Sequence, residues 1–154
     1  MIDLQNKIVF FDIEGTLGEK PKGNGENGKI TIRDLVLGNC FFETKPYKEM
    51  QDLVESLNQN KIYVLGTIDT NNEINQKINW ISLHFPKFKK ENLIFISSEY
   101  TKADTMLCYS SQLKIQPKQM VLIDDKLANL DQAKIKGFGV IDANEILNHY
   151  LFLQ

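Results

Sequence analysis

At 154 residues the chain suits one domain with a substantial core, and its 42% hydrophobic and 25% charged residues are ordinary globular proportions. A formal charge of −2 argues against a nucleic-acid backbone as partner, and with Arg33 the only arginine no arginine-rich phosphate clamp exists. Cys40 and Cys108 fit no metal-ligand spacing, residues 1–7 lack a leader's apolar stretch, and no run approaches the ~18–20 apolar residues of a membrane span, so a cytoplasmic protein with reduced thiols is expected.

In chain order, Lys7 to Phe11 is a short apolar run expected as a buried strand, and it leads directly into Asp12-Ile13-Glu14-Gly15-Thr16. Residues 18–29 are rich in glycine, asparagine and lysine, and predict a loop. Ile30 to Leu37 and Cys40-Phe41-Phe42 are β-like runs on either side of Gly38-Asn39, which predicts a hairpin. Pro46 suits a first helical position with Thr44 or Lys45 before it, and Tyr47, Met50, Val54 and Leu57 form an apolar stripe.

A second strand runs from Ile62 to Gly66 and delivers Thr67. The spacing of Ile74, Ile78, Ile81 and Phe85 predicts a helix stopped by Pro86. Strand Leu93–Ser97 precedes Lys102 and a helix over about 103–114 carrying Met106, Leu107, Ser110 and Leu113 on one side. Met120–Ile123 is a strand ending at Asp124-Asp125, Leu127–Lys136 a short helix closed by Gly137, and 138–141 a last strand. Asn144–Phe152 is expected as a closing helix with Ile146, Leu147, Tyr150 and Leu151 inward. Five strands interleaved with helices predict an α/β fold, a parallel sheet covered on both faces, as one domain over 1–154.

Polar groups at the carboxyl ends of successive parallel strands are how open α/β sheets build active sites. Here they are an acid pair, a hydroxyl, a lysine and a second acid pair, a set suited to phosphate and magnesium. Asp12 is the candidate nucleophile, since a carboxylate can attack phosphorus and form an acyl phosphate. Glu14 can act from the turn as general acid and then base. Asp12, Glu14 through a nearby backbone carbonyl, and Asp125 with or without Asp124 offer an all-oxygen site for Mg²⁺. Gly66-Thr67 and Lys102 are candidate phosphate contacts, with Lys102 also restraining Asp12. Asn129 is a candidate to orient Asp125.

Each residue also has an ordinary structural reading. Thr67, Asp69 and Thr70 could simply start the following helix, and Lys102 could be a surface lysine in a first helical turn. Trp80, Phe41 and Phe42 read as core or flap packing. His84 and His149 are isolated, and Lys87, Lys89 and Lys90 read as a solvated face.

Together these residues resemble the haloacid dehalogenase (HAD) superfamily of aspartate-nucleophile phosphohydrolases. Asp12-Ile13-Glu14-Gly15-Thr16 resembles its first motif, Thr67 its second, Lys102 its third, and Asp124-Asp125-Lys126-Leu127-Ala128-Asn129-Leu130 its fourth. The resemblance spans residues 7–141. It implies a Rossmann-like, three-layer HAD-like fold with the first-motif strand central, Mg²⁺ as cofactor and a phosphorylated substrate. Glu14 departs from the usual aspartate, although the same opening resembles that of the enolase-phosphatases. Residues 18–44 are too few for a helical cap domain and are expected as a loop and β-hairpin flap, leaving an open site. Lys77 to Trp80, His84 to Pro86 and Leu93 to Phe95 resemble, more weakly, the 5′-nucleotidase and deoxyribonucleotidase branch. The leading expectation is a Mg²⁺-dependent phosphatase. The alternatives are a phosphotransferase or mutase, and a catalytically weak member binding a phosphorylated ligand or protein. A receiver-type signalling domain is disfavoured, because there the phosphorylated aspartate follows the third strand.

Overall fold

The computed structural model describes residues 3–37 and 44–153. Five strands, β1 (Ile8–Phe11), β2 (Ile62–Ile68), β3 (Leu93–Ser97), β4 (Met120–Asp124) and β5 (Gly139–Asp142), form one parallel sheet in the order β3-β2-β1-β4-β5. The first strand is central: Phe11 is in register with Val64 on one side and Ile123 on the other. Parallel strands need crossovers, and the helices supply them. They are α2 (Lys48–Ser56), α3 (Asn72–His84), α4 (Lys102–Leu113), α5 (Leu127–Ile135) and α6 (Ala143–Leu153), preceded by the short α1 (Ile32–Leu37). No helix among the described residues is long and apolar enough to cross a membrane.

The two-residue period of the strands sorts the core into two layers. Val9 and Phe11, with Val64, Val121 and Ile123, face a cluster completed by Met50 and Val54 of α2, Trp80 and Ile81 of α3 and Ala143 of α6. Ile8 and Phe10, with Leu65, Met120 and Leu122, face Ala103 and Met106 of α4 and Leu130 and Ala133 of α5. Phe10 and Phe11 are fully buried on opposite faces, each contributing ~1.5–3 kcal/mol from removal of its ring from water. The parallel sheet covered on both faces that the alternation predicts is present, and with it the three-layer, Rossmann-like architecture that the resemblance implies, with no cap domain among the described residues.

Four local expectations are corrected. The run from Ile30 to Leu37 is not a strand, since Ile32–Leu37 is helical. Thr31 and Asp34 explain it: the Thr31 hydroxyl accepts from the Asp34 amide at 3.2 Å, and the Asp34 carboxylate accepts from the Thr31 amide at 2.7 Å. That reciprocal pair is a helix-starting capping box, and it outweighs the β preference of the side chains. The predicted Gly38-Asn39 turn and the Cys40-Phe41-Phe42 strand lie outside the described residues.

Pro46 does not begin α2. It forms an antiparallel bridge with Gly18, while Glu19 donates to the Lys45 carbonyl and Tyr47 to that of Leu17. The insert's two ends are thus pinned together as extended chain, and the helix waits until Lys48. On α3, Ile81 and Phe85 are buried as expected, but Glu73, Gln76 and Lys77 face inward at its start while Ile74 and Ile78 are only half-buried. That end of the helix stands beyond the sheet, beside a polar cleft. Leu113, at the end of α4, is exposed rather than inward.

Candidate active site

The cleft lies at the carboxyl ends of β1 and β4, where the chain's crossovers turn to opposite sides of the sheet. The ladder continues one residue past β1, with the Asp12 amide donating to the Ile123 carbonyl at 3.0 Å, and this fixes where the Asp12 side chain emerges. A tight turn follows: Thr16 and Leu17 both donate to the Ile13 carbonyl, and Gly15 has φ of 79°. A side chain at Gly15 meets two obstacles. The backbone is left-handed there, and a Cβ would stand 2.4 Å from Asp125 Oδ2. The bare α-carbon therefore lets the β4 acid approach the β1 turn.

Three carboxylates meet in this cleft. Asp12, Asp124 and Asp125 each offer an oxygen within 4.8 Å of the others'. Lys102, from the first turn of α4 with only 4% of its side chain exposed, donates to Asp12 Oδ1 at 2.6 Å and Asp124 Oδ2 at 2.9 Å. The Thr16 hydroxyl donates to Asp12 Oδ2 at 3.1 Å, so both oxygens of Asp12 are held and its carboxylate plane is set. Asp124 also accepts from the Lys126 amide at 2.9 Å and Asn129 Nδ2 at 3.0 Å. Asn129 thus orients Asp124 rather than Asp125. Asp125, with 15% of its side chain exposed, pairs with Lys20 at 3.3 Å.

The electrostatics mark a site short of positive charge. Burial pushes the Asp12 carboxyl up to about 7 against the pull of Lys102, with the charges of Asp124 and Glu14 adding to the rise. Burial also opposes the charge of Lys102, but the Asp12 and Asp124 carboxylates override it and hold the ammonium above its ordinary range. Against three clustered carboxylates stand the buried Lys102 and the largely exposed Lys20, which leaves unbalanced negative charge in a hard, all-oxygen donor set. That set fits a divalent cation such as Mg²⁺.

A cavity of about 200 Å³ opens over this group, walled by Asp12, Glu14, Thr67, Lys102, Asp125 and Asn129. A wider groove of about 580 Å³ adjoins it, and there Lys29 and Ile30 of the insert face Thr67 and Lys126. Thr67, in register with Ile96, lies on the wall as expected. Gly66 does not line the cavity. It sits inside the sheet, where a Cβ would meet Ile13 Cδ1 at 2.6 Å, so its smallness serves packing.

The Glu14 carboxylate is not among the three clustered acids. It turns to Lys77 of α3, whose Nζ is 2.6 Å from Glu14 Oε1. The sequence brought Lys77 forward only within the weaker nucleotidase-branch resemblance and gave it no part in the site, although a signal was present. Glu73, Lys77, Ile81 and Phe85 recur at steps of four, so the two charges share the stripe of the buried residues.

No family model matches the chain, and no curated protein matches it. Solved structures do. A haloacid dehalogenase-like hydrolase from Streptococcus pneumoniae superposes with a TM-score of 0.62 at 17% identity, over 95% of this chain and 91% of that one. A HAD family hydrolase from Deinococcus radiodurans, solved with bound phosphate and sodium, gives 0.58 at 10% identity over 90% and 80%. A HAD family enzyme from Bacteroides thetaiotaomicron, in complex with magnesium and inorganic phosphate, gives 0.53 at 16% identity over 88% and 93%. The fold is the haloacid dehalogenase type.

Proposed function

We propose that the protein is a Mg²⁺-dependent phosphomonoester hydrolase working through an aspartyl-phosphate on Asp12. The observation that carries this reading is the buried lysine bridge, Lys102 bonded to both Asp12 and Asp124, with Asp125 beside them at the mouth of the sheet. On a HAD-type fold, that is a nucleophile held in orientation next to a cation site. The solved relatives with phosphate, or magnesium and phosphate, support the same ligands here.

Lys102 and Thr16 each hold one oxygen of Asp12, so the carboxylate meets phosphorus in a fixed plane. As the Asp12–phosphorus bond forms, the ester P–O bond breaks and its electron pair stays on the leaving oxygen, which takes a proton from Glu14. Glu14 then takes a proton from water as the water oxygen bonds to phosphorus. The bond to Asp12 breaks, restoring the carboxylate and releasing inorganic phosphate. Thr67, on the cavity wall, would donate to a phosphoryl oxygen, and Lys102 would offset its charge. Asp12, Asp124 and Asp125 would hold Mg²⁺, which would supply the positive charge that lets a carboxylate approach a phosphate dianion. The open groove beside the cavity accommodates the rest of a phosphorylated substrate.

The test is phosphate release from a generic aryl phosphate and a panel of nucleotides, with Mg²⁺ or with a chelator, for the unmodified protein and Asp12→Asn. Turnover that needs Mg²⁺ and disappears in Asp12→Asn is expected. Turnover that survives in Asp12→Asn would remove the nucleophile and with it the mechanism.

A further inference from the structure

A second buried charge cluster stands at the start of α3. Lys77 has 2% of its side chain exposed, and Glu73, one turn earlier on the same face, 4%. An ammonium has three donors, and this one reaches Glu14 Oε1 at 2.6 Å, Glu73 Oε1 at 3.3 Å and the Thr67 carbonyl at 2.9 Å. Glu73 is itself fixed, because its other oxygen accepts from the Asp69 and Thr70 amides at 2.7 Å each. Lys77 is therefore anchored to the β2–α3 turn by contacts that do not involve Glu14. Glu14, a quarter exposed, stands on the wall shared by the cavity and the groove.

We propose that Lys77 is a positioning residue: it sets where the Glu14 carboxyl stands during proton transfer, and glutamate occupies position 14 because only its length reaches an ammonium anchored on α3. The inference rests on the reading of Glu14 as the acid–base group. Both half-reactions need a Glu14 oxygen within hydrogen-bond reach of an atom on another molecule, first the leaving oxygen and then water. A side chain with three free torsions rarely holds such a pose, whereas one tied to a buried ammonium does. Removing one methylene withdraws the carboxyl by roughly 1.5 Å and takes a 2.6 Å contact out of hydrogen-bond range. Aspartate at this position would lose Lys77.

The experiment compares kcat/KM for two phosphomonoesters. One is an aryl ester, whose leaving oxygen departs with little need of a proton, and the other an alkyl ester, whose leaving oxygen needs one. Lys77→Met is expected to lower the alkyl value by about 100-fold, the lower end of what general acid catalysis contributes, and the aryl value by no more than about threefold. Glu14→Asp should bias the ratio the same way. In a Glu14→Gln background Lys77→Met should add no further bias, because it acts through the group already removed. Circular dichroism and thermal unfolding check that each variant folds. If Lys77→Met does not, Glu14→Asp carries the test, since it leaves Lys77 with Glu73. A parallel fall for both esters, or an alkyl rate that rises in Glu14→Asp, overturns the positioning role and leaves the hydrolase reading standing. No turnover of either ester by the unmodified protein overturns both.

Discussion

Replacing Asp12 with asparagine should abolish turnover and at the same time make the metal-free protein more stable at neutral pH. The carboxyl of Asp12 is held at about 7 in the folded protein, against 3.8 for its ordinary value, with burial the main cause and the pull of Lys102 already included. Between those two pH values the folded state binds more protons than the unfolded state, so stability falls as pH rises through the window. The difference between 3.8 and about 7 corresponds to about 4 kcal/mol, a contribution fully present below the unfolded value and lost once pH has risen through the folded one. Asparagine is isosteric and uncharged. Its oxygen can accept from Lys102 and its amide can donate to the Thr16 hydroxyl, so it avoids this cost. Urea unfolding from pH 4.5 to 7.5 in chelator should show the unmodified protein losing stability relative to Asp12→Asn, by up to about 4 kcal/mol at the top of the range. Excess Mg²⁺ at pH 7.5 should raise the unfolding midpoint of the unmodified protein and move that of Asp12→Asn far less, because binding to the folded state alone stabilises it. Parallel pH profiles for the two proteins in chelator would refute the electrostatic account of the site.

Three other outcomes follow from the same geometry. Gly15→Ala places a Cβ 2.4 Å from Asp125 Oδ2 on a left-handed backbone, so it should cost roughly 1–3 kcal/mol in chemical unfolding and weaken Mg²⁺ binding in calorimetry. Asn129→Ala removes a 3.0 Å donor from Asp124 and should weaken Mg²⁺ affinity by about tenfold or more, with little change in unfolding by urea. Asp34 is held down at about 2, chiefly by the Thr31 amide and then that of Asn24. Its contribution is present above its ordinary 3.8 and is lost as pH falls through about 2, so the Asn24 and Thr31 amide proton shifts should titrate near pH 2 in the unmodified protein and lose that transition in Asp34→Ala.

The alternation of buried runs with amphipathic segments was legible without coordinates, because strand and helix periods are local properties of the chain. So was the placement of Asp12, Thr67, Lys102, Asp124 and Asp125, each just past the apolar run that ends its strand or begins the next helix. The helix at 32–37 was legible too, but in Thr31 and Asp34 rather than in the β-branched residues around them, since two capping bonds outweighed side-chain preference there. Through-space pairings required the assembled sheet. Lys102 lies 90 residues from Asp12 and 22 from Asp124, and it meets both only because β1 and β4 are neighbours and α4 starts above their junction. In the same way, Asn129 orients Asp124 and Glu14 pairs with Lys77. A sequence carries the kinds of charge a site needs; which carboxylate each cation finds is decided by strand order, helix placement and side-chain direction, since these set the distances over which charge acts.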